Sequence, residues 1–229
     1  FTKRQFDKII EDAKNSGGEL FHGTPKEGFA VYYYIDGIKC DFGFGNYREN
    51  EKLISDMLKK PELDQMKHLQ ISGFMDSYVL YGDKWVNKWK SKAKKISEEL
   101  SFIMVRNHIK FEPEWVTNEM ALKRGDILYM YEYFIQAIER LIWILCGLNK
   151  TFHPGKLKGA EHKIKQFRIK PVKFVERCKY VLEKGNSSGI KELYNLISET
   201  MNLVDKHLPR QSTLRIRRVL KMKLRKHVT

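Results

Sequence analysis

Apolar and polar residues alternate most clearly from Ala30 to Gly45, AVYYYIDGIKCDFGFG. Two apolar runs flank Asp36-Gly37. Asp-Gly favours a two-residue type I′ turn, because both central positions need positive φ. The pattern predicts a hairpin with Ile35 facing Ile38, Tyr33 facing Cys40 and Val31 facing Phe42 on one side. Tyr34–Lys39 and Tyr32–Asp41 then fall on the other side. The second strand has an apolar face (Ile38, Cys40, Phe42, Phe44) and a face bearing Lys39, Asp41 and Gly43. Asp is disfavoured inside strands, so Asp41 is a candidate functional residue. A solvated acid on an open sheet face is the plainer alternative.

Before the hairpin, Phe6, Ile9, Ile10 and Ala13 have helical spacing, with Thr2 as N-cap and Gly17-Gly18 as the stop. Glu19 to Phe21 reads as a short strand and His22 to Gly28 as a polar loop. After it, Asn46 to Lys60 is helical, with Leu53, Ile54, Met57 and Leu58 inward. Leu69 to Leu80 is expected to hold one or two short strands around Ser72-Gly73. Lys84 to Leu100 reads as one basic amphipathic helix, with Trp85, Trp89, Ala93 and Ile96 along one side.

Beyond about residue 100 no alternating segment appears. One helix is expected from Asn118 to Leu148, its stripe formed by Ile127, Tyr131, Phe134, Ile138, Leu141, Leu145 and Leu148 and widened by Leu128, Ile135 and Ile142. Further helices are expected over Phe167–Leu182 and Ile190–Leu208, joined by a loop at Gly185–Gly189. The tail from Arg210 to Lys226 holds eight Lys or Arg and no acid, interleaved with Leu214, Ile216, Val219, Leu220 and Leu224. The fold class read from this order is α+β: a small mixed β-sheet with flanking helices over residues 1–105, an all-α bundle over 106–209 and a basic tail over 210–229.

The chain has 229 residues, a net charge of +15 and a pI near 9.6. That charge favours an anionic partner, whether nucleic acid, nucleotide phosphate or an acidic surface, and disfavours a cationic substrate. Cys40, Cys146 and Cys178 are widely spaced and set among apolar residues, as expected of thiols in a reducing, cytoplasmic compartment. None has zinc-ligand spacing. The longest apolar run, Leu141–Leu148, is too short to span a bilayer, so no membrane partner is expected. The chain opens on Phe1 without a signal-peptide pattern, which raises the expectation of an upstream segment.

The hairpin YYYIDGIKCDFGFG, the segment SGFMDSYVLYGDKWVNKWKSKAKK and a helix opening with KRGD and closing with LNKTFHPGK together resemble the nucleotidyltransferase superfamily. The likeness is to stand-alone bacterial and archaeal members related to antibiotic nucleotidyltransferases. The resemblance implies three carboxylates on a sheet holding Mg²⁺, with an acceptor attacking the α-phosphate of a nucleoside triphosphate. Asp41 matches the third carboxylate, as metal ligand or as the acceptor's base. The Gly-Ser…Asp-x-Asp signature that carries the other two is absent from this chain. Lys39, Arg124, Asn149, Lys150 and Lys156 are implied to face the nucleotide, and His153 to serve as an acid or base. Asp126 at the head of the long helix also suits a helix dipole. The acceptor is expected to be RNA or another anion. The alternative is a non-catalytic nucleic-acid-binding protein using Lys88, Lys92, Lys95, Arg215 and Arg218. A third expectation is an interaction protein, such as half of a toxin–antitoxin pair.

Overall fold

The computed structural model describes residues 2–223. The chain is α+β, as expected, and divides into two compact units, Phe1–Ser55 and Asp56–Thr229.

The first unit begins with α1 (Lys3–Asn15). Thr2 caps it by accepting from the Gln5 amide, while the Gln5 side chain accepts from the Thr2 amide. Strands β1 (Glu19–Thr24), β2 (Gly28–Ile35) and β3 (Ile38–Phe44) follow as an antiparallel meander. The expected mixed sheet is therefore antiparallel throughout the described residues, and β1 runs three residues into the expected loop, with a bulge between Leu20 and His22. The β2–β3 register is the one read from the sequence: Ile35 pairs with Ile38, Tyr33 with Cys40, Tyr32 with Asp41 and Val31 with Phe42. Asp36 and Gly37 both have positive φ, 50° and 76°, as a type I′ turn requires. Ala13, Phe29 and Val31 are buried and packed by Phe6, Ile9, Ile10, Tyr33 and Phe44. The face predicted to be apolar thus lies against α1, and Tyr33 donates its hydroxyl hydrogen to the Ile9 carbonyl at 3.0 Å.

The division between units falls within α2 (Tyr47–Lys59). The second unit is helical: α3 (Gln65–Asp76), α4 (Asp83–Ala93), α5 (Glu98–His108), α6 (Ile127–Leu148), α7 (Ala160–Lys165), α8 (Phe174–Lys184), α9 (Ser187–His207) and α10 (Leu214–Leu220). The boundary expected at 105/106 falls inside α5.

Several sequence expectations are corrected here. Residues 69–80 are not strands. Asp64 accepts from the Lys67 amide at 2.9 Å and starts α3, whose buried His68, Ile71 and Ser72 recur at helical spacing. The single helix expected over 84–100 is two, because Ser97 caps a new helix by accepting from the Leu100 amide. The helix expected from Asn118 is interrupted by a π-type turn at Val116–Ala121, a 3₁₀ turn at Leu122–Arg124 and Gly125 at φ 70°. It restarts at Ile127 under the Asp126 cap. Its first turns are not core, since Ile127 is 60% exposed and Leu128 86%. The helix expected from Phe167 starts at Phe174, after Pro171, and α7 precedes it. Asn186 caps α9 from within the expected loop, accepting from the Ser188 and Gly189 amides. Leu224, Arg225 and Lys226 lie outside the described residues.

From Leu141 to Leu148 every residue of α6 is buried, so this half of the helix is enclosed on all sides. Helix α5 crosses it closely. The Ser101 hydroxyl donates to the Gly147 carbonyl at 2.6 Å, and a Cβ at Gly147 would stand 2.8 Å from both the Ser101 carbonyl oxygen and Val105 Cγ2. No helix of the described residues is long and apolar enough to cross a membrane.

Substituting Gly147→Ala tests this crossing. Alanine gains about 1 kcal/mol of helix propensity, but the backbone oxygen in its way cannot rotate aside, and overpacking of this kind costs about 1–3 kcal/mol. The expected outcome is a lower urea midpoint at unchanged m-value. A raised midpoint would show that the helices separate freely.

Candidate nucleic-acid interface

The residues implied by the transferase resemblance are dispersed in their roles. Asp41 lies opposite Tyr32 on the face turned away from α1, with its carboxylate 68% exposed and 3.6 Å from the Lys39 ammonium. Lys39 also sits over the rings of Tyr32 (4.3 Å) and Phe21 (4.9 Å), and the Tyr32 hydroxyl donates to Glu19. Mg²⁺ prefers several hard oxygen ligands. Among the described residues no three His, Cys, Asp or Glu side chains are grouped to hold a metal ion, and Asp41 stands beside a lysine, so these residues do not fit one.

Asn149 is saturated by backbone. It donates to the Leu145 and Ile169 carbonyls and accepts from the Arg168 and Ile169 amides, tying the segment before α8 to the end of α6. Lys150 pairs with Glu98 and holds that carboxyl below its ordinary range. Asp126 accepts from the Tyr129 amide as an N-cap. Arg124 and Lys156 are exposed in turns. Lys88 is exposed on α4 and Lys95 just past its end, with Lys92 half-buried between them.

Cations do converge elsewhere. A cleft of about 600 Å³ is bordered by Arg106, Lys110, Arg140 and Arg215, with Glu112 as the one acid and Phe111 and Ile216 among its apolar members. Among the described residues none of these four cations has an ion-pair partner. Arg177, by contrast, is held by Glu192 and Glu199, Lys163 by Asp76 and Arg217 by Asp205. Arg140 is fixed by a bond from Nη1 to the Lys110 carbonyl at 2.6 Å. The segment after α5 is fixed as well: the Tyr194 hydroxyl donates to the Glu112 carbonyl at 2.8 Å and shares contacts with the hydroxyls of Tyr133 and Thr117.

Helix α10 is seated by buried Ile216 and by Arg217, whose guanidinium reaches Asp205, Asn202 and the Thr213 hydroxyl. Arg215 and Arg218 remain exposed on its outer side. Sequence reasoning singles out Arg215 and Arg218 as part of a basic run. It misses Arg106, Lys110 and Arg140, which are isolated along the chain and are gathered only by the crossing of α5, α6 and α10. Residues 56–229 hold 35 Lys or Arg against 19 Asp or Glu, whereas residues 1–55 hold eight against nine. The excess charge belongs to the helical unit.

Next to the cleft lies a ring stack. His153 and His108 are each parallel to Trp143, with centroids 4.0 Å and 4.7 Å away and interplanar angles of 1° and 2°. These spacings are too short for both imidazoles to share one face of the indole, so Trp143 is held between them. His68 accepts at Nδ1 from the His153 amide, so its Nε2–H donates to the Glu62 carbonyl. His153 Nδ1 accepts from the Gly155 amide, which leaves its buried Nε2–H without a partner among the described residues. These bonds give His153 a structural place and not that of an exposed acid or base. Burial pushes His153 down to about 3 and His68 down to about 4, and burial also lowers His108.

Comparison with family models, with curated proteins and with solved structures finds no match to this chain.

His68 and His153 titrate lower in the folded chain than the ordinary 6.5. Above that value both states are neutral and the stability is complete. As pH falls below 6.5 the unfolded chain takes protons first, and stability is lost until the folded groups titrate near 4 and 3. At pH 5 the loss is on the order of 2 kcal/mol per histidine. Urea midpoints should drop steeply from pH 6.5 to 4.5, and His68→Gln should flatten that slope. A pH-independent midpoint would refute the assignment.

Proposed function

We propose that this chain binds nucleic acid, with the helical unit holding the phosphate backbone along the cleft of Arg106, Lys110, Arg140 and Arg215. The observation that carries this reading is that four cations without acidic partners among the described residues border one cavity in a unit rich in positive charge. Arginine forks suit phosphate oxygens, and exposed guanidinium groups that no acid neutralises are open to an anion. The half-buried apolar members of the cleft, Ile109 and Val219, support sugar and base contacts beside the phosphates. A reducing, cytoplasmic setting belongs to the same proposal, supported by free thiols at Cys40, Cys146 and Cys178, two of them buried. RNA is the partner most in keeping with that setting.

Nucleotidyl transfer draws less support from this geometry. Its one matched carboxylate, Asp41, is on the open face of the sheet as the role asks, but it is paired with Lys39.

Fluorescence anisotropy with a labelled single-stranded RNA, repeated from 50 to 200 mM salt, tests the proposal. With three to four phosphates neutralised on a single strand, log K should fall with log salt at a slope of about −2 to −3. Arg215→Ala and Arg106→Ala should each weaken binding several-fold and reduce the slope by about 1. Asp41→Asn should leave the RNA affinity unchanged. Absence of binding at 50 mM salt would refute the reading, and Mg²⁺-dependent triphosphate binding lost in Asp41→Asn would restore the transferase.

A further inference from the structure

Beside the phosphate cleft is a second cavity of about 330 Å³, and Arg140 borders both. We infer that this second cavity takes an unpaired nucleobase with two adjacent N–H groups, guanine among the common bases, from the strand whose phosphates lie on the cleft. This rests on the nucleic-acid reading above and narrows it to single strands.

Three features of the cavity point to such a ligand. Its size lies at the low end for small-ligand pockets. His108, the outer ring of the parallel stack on Trp143, is half-buried and lines it, so a flat heterocycle can extend a column that is already in register. The third feature is the cavity's hydrogen-bonding character. His108 Nδ1 is bonded to the Met104 carbonyl at 2.7 Å, so it carries the hydrogen and leaves Nε2 a bare acceptor. Glu139 accepts from Gln65 Nε2 at 3.0 Å through Oε1, and among the described residues its second oxygen has no partner. The nearby amide donors are already used: Gln65 Nε2 also reaches the Gly155 carbonyl, and Gln136 Nε2 donates to Glu132 at 2.9 Å.

Apart from Arg140, whose guanidinium donates to the Lys110 carbonyl and toward the Gln136 side chain, the side chains of the cavity offer acceptors and ask for donors. A carboxylate accepts two parallel N–H bonds from the N1–H and 2-amino group of guanine. Adenine and cytosine offer only an exocyclic amino group on that edge, and uracil a single ring N–H. In a duplex the same edge is paired, so the site reads single strands. Positive charge from Arg140 beside Glu139 suits the negative strand that carries the base.

The test compares labelled octa-uridylate, the same strand with one central guanosine, and an RNA duplex of equal length, by anisotropy at fixed salt. The guanosine strand should bind about tenfold tighter than octa-uridylate, the size of discrimination a bidentate base contact gives, and the duplex should bind weakest. Glu139→Gln should bring the ratio of the two single strands to near one, because the amide places a donor against a donor. Arg215→Ala should weaken both strands and keep the ratio. Glu139 is half-exposed on α6, and retained binding of octa-uridylate in the variant reports that it is folded. If octa-uridylate binds and guanosine adds nothing, or the preference survives in Glu139→Gln, this inference fails and the binding reading stands. If no strand binds, both fail.

Discussion

The helical unit depends on the enclosure of the second half of α6. Eight consecutive residues, Leu141–Leu148, are buried, and on one side this rests on α5, which approaches to van der Waals contact at Gly147. That approach sets the positions of the side chains that matter. Arg140 and Trp143 sit at the mouth of the enclosed stretch, and Arg106, His108 and Lys110 come from the end of the helix that crosses it. A side chain larger than hydrogen at one position would shift the helix that carries Arg106 and His108 and leads into Lys110. Close packing makes such a shift discrete, because a dense interior does not deform smoothly.

Local chemistry explains which parts of the fold are legible in the sequence. The hairpin is readable to the single pair, because a two-residue Asp-Gly turn fixes the register and period-two alternation fixes the faces. The helix interiors of α1 and α9 are readable from their apolar spacing. Helix ends are harder. Asp64, Ser97 and Asp126 each start a helix by one side-chain bond to the backbone and Asn186 by two, and in sequence each looks like any polar residue in a loop. Residues 69–80 mislead for a related reason: Ser72 and Gly73 suggest a turn, yet Ser72 is buried in α3 with its hydroxyl accepting from Lys163 at 2.6 Å, a partner 91 residues away. Ile127 and Leu128 fit the stripe of α6 but precede the point where neighbours enclose it.

The cleft is not legible for a different reason. Net charge points to an anionic partner, and the densest basic runs draw attention to α4 and the tail. Density along the chain is a poor guide, because a run of lysines on one helix spreads around its circumference. Convergence in space needs residues from separate elements, here from the ends of α5 and α10 and the middle of α6. What separates those cations from the others is also invisible in sequence: Arg177 and Arg217 are as basic as Arg215, but each is spent on acids of α9.

The latch that seats α10 has a consequence of its own. Arg217 and Asp205 are both partly open to solvent, so their pairing contributes no more than about 1 kcal/mol and is screened by salt. The shelf that carries Arg215 is thus fastened by the same kind of force that would fasten a ligand to it. On the proposed binding reading, ionic strength would act at two levels, on the ligand's grip and on the platform beneath it. With Ile216 buried beneath it the helix keeps its seat, while the Arg217 latch loosens in salt and tightens as the surrounding medium becomes dilute.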